Sequence, residues 1–278
     1  MYALLLGIAA LWGAATGLLV PRAAYRFSVE PEEAWRDTCP AGHPFSGVAR
    51  GWLGPARCAA CAAPRTAPGQ APVTAPGTDG VTADGPDAVT ADEVSAAGRY
   101  ASSLLAPVVT ALGCTALAAA AGLRPELAVW LLLAPVAVLL ATIDRRVHRL
   151  PDRLTLPLAG VAVLLLGGAA LLPEHAGSWT SAVLGGLALG GFYLVLFLIN
   201  PNGMGFGDVK LALSLGVALG WYGWAVLFMG GFAGFVFGAV YGFALMILRR
   251  AGRRTGIPFG PFMIAGALVG LLLGALAA

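Results

Sequence analysis

Charge is scarce in this chain. Asp, Glu, Lys and Arg make up 11% of its 278 residues, against about 25% in an ordinary soluble domain. The deficit comes from uncharged apolar runs of roughly 18 to 25 residues, which are long enough to cross a bilayer. A soluble enzyme with a solvated surface is excluded, and no nucleic-acid partner is expected. Basic residues are also missing ahead of the first apolar run, which begins Met1-Tyr2-Ala3 and is followed by Arg22 and Arg26. With no small-x-small cleavage site either, that run reads as a retained span and not as a signal peptide. Cysteine is limited to Cys39, Cys58, Cys61 and Cys114. Carboxylates are absent from the middle of every apolar run.

What the chain does have is apolar residues, 58% of the total, and 39 glycines. Lipid cannot satisfy backbone polar groups, so the apolar runs must be helical. Eight candidate spans follow, near 2–21, 101–121, 126–143, 155–172, 180–199, 209–221, 223–247 and 259–277. With the N-terminus outside, every Arg and Lys except Arg124 falls on the cytoplasmic side, a strong positive-inside signal. Arg249, Arg250, Arg253 and Arg254 read as determinants of that topology. The expected fold is therefore an all-α integral membrane protein of about eight transmembrane helices, with a small cytoplasmic insertion after the first. Residues 1–21 form the first span and 22–65 the insertion. Residues 66–98 are a Pro/Gly/Ala/Thr/Asp tract that cannot bury enough surface to offset its ordering entropy, so a flexible linker is expected. Residues 99–278 form a seven-span bundle. Gly185-Gly186 and the glycines of 230–234 read as close helix packing. Cys114, among Ala and Leu, reads as a small packing residue.

The carboxylates are the most informative residues. Of 14 Asp and Glu, most precede Tyr100, and Glu126 and Glu174 fall in outer loops. Only Asp144, Asp152 and Asp208 remain, all at the cytoplasmic ends of spans, where ionisable groups are functional candidates by default. Asp144 and Asp208 share one depth and can face each other. Two carboxylates in contact do not both ionise easily, so one holds a proton while the other serves as base, the pair that activates a water for peptide hydrolysis. Gly205 and Gly207 would let backbone approach Asp208 and a substrate strand. Asp152 precedes an apolar helix and reads first as an N-cap. Lys210 either tunes the local field or snorkels to the interface. His148 reads as part of a basic, lipid-facing loop.

These residues resemble a known family. Gly203-Met204-Gly205-Phe206-Gly207-Asp208-Val209-Lys210 is similar to the Gly-x-Gly-Asp segment of type IV prepilin peptidases. Ile143-Asp144 followed by Leu150-Pro151-Asp152-Arg153 resembles their other aspartate segment. Pro258-Phe259-Gly260-Pro261 resembles their Pro-Phe-Gly-Pro motif near the active site. The resemblance covers about residues 100–278. It implies a membrane aspartyl endopeptidase with Asp144 and Asp208 catalytic and no cofactor required for peptidase action. The implied substrate is a prepilin or pseudopilin, a basic leader preceding an apolar helix, cut at the cytoplasmic face of a bacterial inner membrane. The N-terminal part departs from the pattern. Gly17 stands where many members carry asparagine, so S-adenosylmethionine-dependent methylation is not supported. The family's paired Cys-x-x-Cys zinc motif survives as Cys58-Ala59-Ala60-Cys61, while the first pair has become Cys39-Pro40-Ala41-Gly42-His43. Imidazole ligation by His43 would complete a Cys39, His43, Cys58, Cys61 structural zinc site; an eroded site with free thiols is the alternative.

Two other readings remain open from sequence. One is a catalytically inactive, pilin-binding assembly protein of the same fold. The other is an ion-coupled transporter, which predicts mid-span polar residues and repeat symmetry; neither is found.

Overall fold

The computed structural model describes residues 1–29, 33–52, 54, 58–62, 104–201, 203–248 and 258–278. The linker expected at 66–98 and the arginines at 249–254 lie outside them. Among the described residues there are helices and no strands, apart from one isolated antiparallel bridge between Thr38 and Pro44. The fold is all-α. Helix α1 spans Tyr2–Gly17 and α2 spans Val20–Phe27. The bundle follows as α3 (Leu105–Ala121), α4 (Glu126–Val147), α5 (Asp152–Ala170), α6 (Trp179–Ile199), α7 (Phe206–Trp221), α8 (Trp224–Ile247) and α9 (Gly260–Ala277).

Among the described residues, six segments are long and apolar enough to cross a membrane: Tyr2–Phe27, α4, α5, α6, α8 and α9. The other two expected spans are shorter, 17 residues in α3 and 16 in α7. Helix α7 is buried on nearly every side by protein, so it need not present a lipid-facing surface along its length.

Small residues let the helices close. A methyl group at Gly185 would lie 2.7 Å from Gly216 O, and one at Gly220 would lie 2.6 Å from Ser181 O, so α6 and α7 cross with backbones touching. Gly266 meets Gly230 and Gly234 in the same way between α8 and α9. The packing reading of these glycines holds. Helix α1 lies against α3, where a methyl at Gly17 would lie 2.5 Å from Pro107 Cα. No asparagine fits there.

Pro135 lies inside α4 and cannot donate to the carbonyl of Leu131. That carbonyl instead accepts from Trp12 Nε1 at 2.8 Å, which locks α1 to α4. Cys114 is fully buried among apolar neighbours, as a packing residue would be. Glu126 is not a loop residue. It opens α4 fully buried, its Oε1 accepting from Ala176 N at 3.3 Å and Tyr222 OH at 3.5 Å. Apolar periodicity alone could not show that the 173–178 segment folds over it.

Candidate active site

The three bundle aspartates lie at one end of their helices. Helix α4 runs four residues further than the apolar run implies, because Arg145 and Arg146 complement its C-terminal dipole and His148 closes it in the left-handed conformation. Asp144 therefore sits inside the last turn, 4% exposed. Its Oδ2 accepts from Gly260 N at 2.9 Å. Gly260 opens α9, so the carboxylate satisfies one free N–H at a helix start. A methyl at Gly260 would lie 2.8 Å from that oxygen, so glycine is the residue that admits the contact.

Asp208 lies in the first turn of α7, 9% exposed, its N–H donating to Gly205 O at 3.0 Å. Asp144 is within electrostatic range of it. Gly205 is extended, and a methyl there would touch Asp208 Oδ2 at an ordinary 3.6 Å. Gly207 has a stricter role: a methyl would lie 2.9 Å from Leu150 Cβ, so the start of α7 closes onto the loop before α5.

Asp152 and Lys210 meet each other. Lys210 Nζ lies 2.6 Å from Asp152 Oδ1, with side-chain exposures of 11% and 65%. Asp152 is the first residue of α5, which Pro151 precedes as N-cap, and it makes no capping hydrogen bond. The N-cap reading is thereby corrected: the carboxylate turns to a buried cation. Lys210 Nζ reaches back along α7 to lie over the Phe206 ring at 4.7 Å, toward the helix end where Asp152 sits. The pair ties the starts of α5 and α7, the two segments bearing the aspartate motifs. Of the last motif, Pro258, Phe259 and Pro261 are half-buried and Gly260 is buried.

Tyr193 was not singled out from sequence. It is 1% exposed on α6 and within electrostatic range of Asp208. Its ring stacks on Phe235 with centroids 5.4 Å apart and leans on Phe259 at 6.3 Å. An aromatic in an apolar run carries no signal of this; only the close α6–α7 crossing gives it meaning.

Outside the bundle, the ligand atoms of Cys39, His43, Cys58 and Cys61 all lie within 4.8 Å of one another. Cys39 and Cys61 sulfurs are 3.8 Å apart, and His43 Nδ1 is 3.6 Å and 3.2 Å from them. A zinc–sulfur bond of about 2.3 Å gives a tetrahedron edge of about 3.8 Å, so the donor set fits zinc. Gly42, at φ +80°, makes the tight turn that brings His43 in where a Cys-x-x-Cys would place its second sulfur. Burial pushes the Cys61 thiol up to about 12, reinforced by the thiols of Cys39 and Cys58. Cys58 is drawn down: burial opposes this, but hydrogen bonds from the backbone of Cys61 and Ala60 and from the neighbouring thiols outweigh it. Such crowded thiols share negative charge that a divalent cation would neutralise.

Residues 131–243 match the type IV leader peptidase family. That stretch contains Asp144, Asp152 and Asp208, while the Pro258–Pro261 segment lies beyond it. Three similar proteins each carry the name prepilin leader peptidase/N-methyltransferase. The one from Aeromonas salmonicida is 37% identical over 154 residues, covering 52% of this chain and 48% of the relative. Those from Stutzerimonas stutzeri and Pseudomonas aeruginosa are 36% identical over 136 and 143 residues, covering 49% of this chain and 46% of each relative. The chain spans about half the length of the curated relatives it matches. No solved structure matches it. The resemblance to prepilin peptidases therefore rests on the bundle and its aspartate segments.

Proposed function

We propose that this chain is a membrane aspartyl endopeptidase that removes the basic leader from prepilin-like or pseudopilin substrates at the cytoplasmic face of a bacterial inner membrane. The observation that carries the reading is the convergence of Asp144 and Asp208, buried, from two different helices. Asp144 and Asp208 are its catalytic pair. One carboxylate takes a proton from a water as that water attacks the scissile carbonyl carbon. The other, protonated, donates to the carbonyl oxygen. The tetrahedral intermediate collapses as a proton passes to the amide nitrogen, leaving a leader carboxyl and a new amine. Gly260 orients Asp144 through one oxygen and leaves the other for chemistry. Gly205, Gly207 and the Pro258–Pro261 segment shape the backbone around the pair, and Lys210 with Asp152 holds the two aspartate segments in register.

The cluster of Cys39, His43, Cys58 and Cys61 would hold a structural zinc that clips the insertion together. Methylation of the product is not part of the proposal, because the contact at Gly17 leaves no space for the polar side chain that many family members carry.

The test is cleavage in inside-out and right-side-out proteoliposomes of a substrate with a basic leader and an apolar helix, following product mass. The expected result is loss of the leader, without a methyl group, only when the Asp144 end of the bundle faces the substrate. An intact substrate at both orientations, with the protein folded, would contradict the proposal.

A further inference from the structure

A cavity of about 540 Å³ opens between α3, α4, α5, α7 and α9. At its flank Leu105 and Val109 are about half-exposed and Ala265 is exposed, so it is open to the bilayer. Along α4 it runs from Trp130 to Arg146, about 24 Å by helix rise. Seven consecutive α4 residues, 133–139, stay partly exposed although the helix is central in the bundle. The walls offer almost nothing polar, because the hydroxyls that line them are already engaged. Thr110 donates to Ala106 O, Thr142 to Val138 O and Ser214 to Thr155 O. Among the described residues no carboxylate lines the cavity.

Charge enters at one end only, where Arg145 and Arg146 line the cavity and are exposed. They follow Asp144, whose own carboxylate is buried and held by Gly260 N. Among the described residues neither guanidinium has an ion-pair partner. Arg36 of the insertion adds a third cation within electrostatic range of Arg146. Guanidiniums gathered in this way are stabilised by a shared anion, and phosphate is the anion whose geometry suits them. The end of a span is also the level at which arginines meet lipid headgroups.

We propose that this groove is a site for one anionic phospholipid, its phosphate on Arg145 and Arg146 and an acyl chain along α4. The cations at the rim select the headgroup, and the size of the groove selects a chain. A helix about 10 Å wide would need about 1,900 Å³ over this length. The cavity's 540 Å³ falls instead in the range of about 300–1,000 Å³ typical of sites for one small molecule. One leaflet of a hydrocarbon core about 30 Å thick supplies chains about 15 Å long, so the bound chain fills roughly the two-thirds of the groove nearest Arg146. The lipid neutralises the crowded cations at the last turn of α4, the turn that carries Asp144, and stabilises it. Binding needs no cleavage, so the site stands or falls apart from the peptidase reading.

The experiment exchanges the full chain in detergent with phosphatidylglycerol or phosphatidylcholine of the same acyl chains and counts retained lipid by native mass spectrometry. Wild type is expected to keep one phosphatidylglycerol, preferred at least about tenfold over phosphatidylcholine, and to unfold at a higher temperature with it bound. Arg145→Gln combined with Arg146→Gln removes the preference, whereas Arg149→Gln, a cation outside the groove, keeps it. All three arginines are exposed, so these substitutions leave the fold intact. Ala137→Trp, which fills the groove, lowers retention, and Leu112→Trp on the exposed face of α3 does not. Equal retention of the two lipids by wild type overturns the proposal. So does a loss in Arg149→Gln as large as in the Arg145, Arg146 variant, since that marks diffuse surface charge. Displacement of the lipid by an equal concentration of inorganic phosphate also overturns it, because the chain would then contribute nothing.

Discussion

Gly260 gives its N–H to Asp144 Oδ2 at 2.9 Å, and a methyl there would lie 2.8 Å from the same oxygen. Gly260→Ala must therefore push the carboxylate aside while leaving the helix start intact. Steady-state cleavage should show kcat down about 100-fold, the scale of an ångström's misplacement, with KM little changed; a wild-type kcat would show that Asp144 needs no such anchor. Tyr193→Phe keeps the stack on Phe235 and Phe259 and removes only the hydroxyl near Asp208. Its kcat should fall about tenfold with an altered pH profile, and an unchanged profile would reduce Tyr193 to packing. The aspartates were legible because a carboxylate at a span end is costly and rare. Tyr193 was not, because its meaning arises only when α6 and α7 cross at Gly185 and Gly216. Asp152 was misread as a cap because its partner, Lys210, lies on a helix distant in sequence.

Helix ends moved for similar reasons. Apolarity alone stops α4 before Asp144, but paired charges and a left-handed cap carry it to Val147. Helices α5 and α7 begin earlier than their apolar runs, at Asp152 and Phe206, because the ion pair and the Gly207–Leu150 contact join those turns. Asp152→Asn should lower the thermal midpoint by leaving a buried ammonium unpaired. Lys210→Met added to it should recover most of the loss, whereas a double variant no better than Asp152→Asn would argue against the pairing. Pro135 raises a different requirement, met by Trp12. Trp12→Phe leaves the Leu131 carbonyl without its donor in an apolar setting and should cost about 1–2 kcal/mol in denaturant unfolding in detergent. No change would mean that the carbonyl finds another donor.

Across the whole molecule, the sequence separates an insertion from a bundle, and the structure joins them through α2. Within the insertion Arg26 lies 3.9 Å over the Trp52 ring and Phe27, Trp35 and Trp52 pack on one another, while Arg153 of α5 reaches across to lie 4.9 Å over the Trp35 ring. The zinc reading belongs at this scale. Purified protein should carry about one equivalent of zinc, lost in Cys58→Ser together with protease resistance of the insertion but not of the bundle; metal-free protein with an equally resistant insertion would discard it. The order of the helices was legible because lipid forces apolar runs to be helical. How the bundle closes was not, because close glycine contacts leave no signature beyond composition. What the bundle closes around is the pair Asp144 and Asp208. The direct test of that pair is cleavage by Asp144→Asn, Asp208→Asn and the double variant, each verified as folded in the membrane. Two groups acting on one water lose everything when either is lost, so each single variant should be as inactive as the double. A single variant that retains substantial cleavage, with the double falling further, would contradict the dyad.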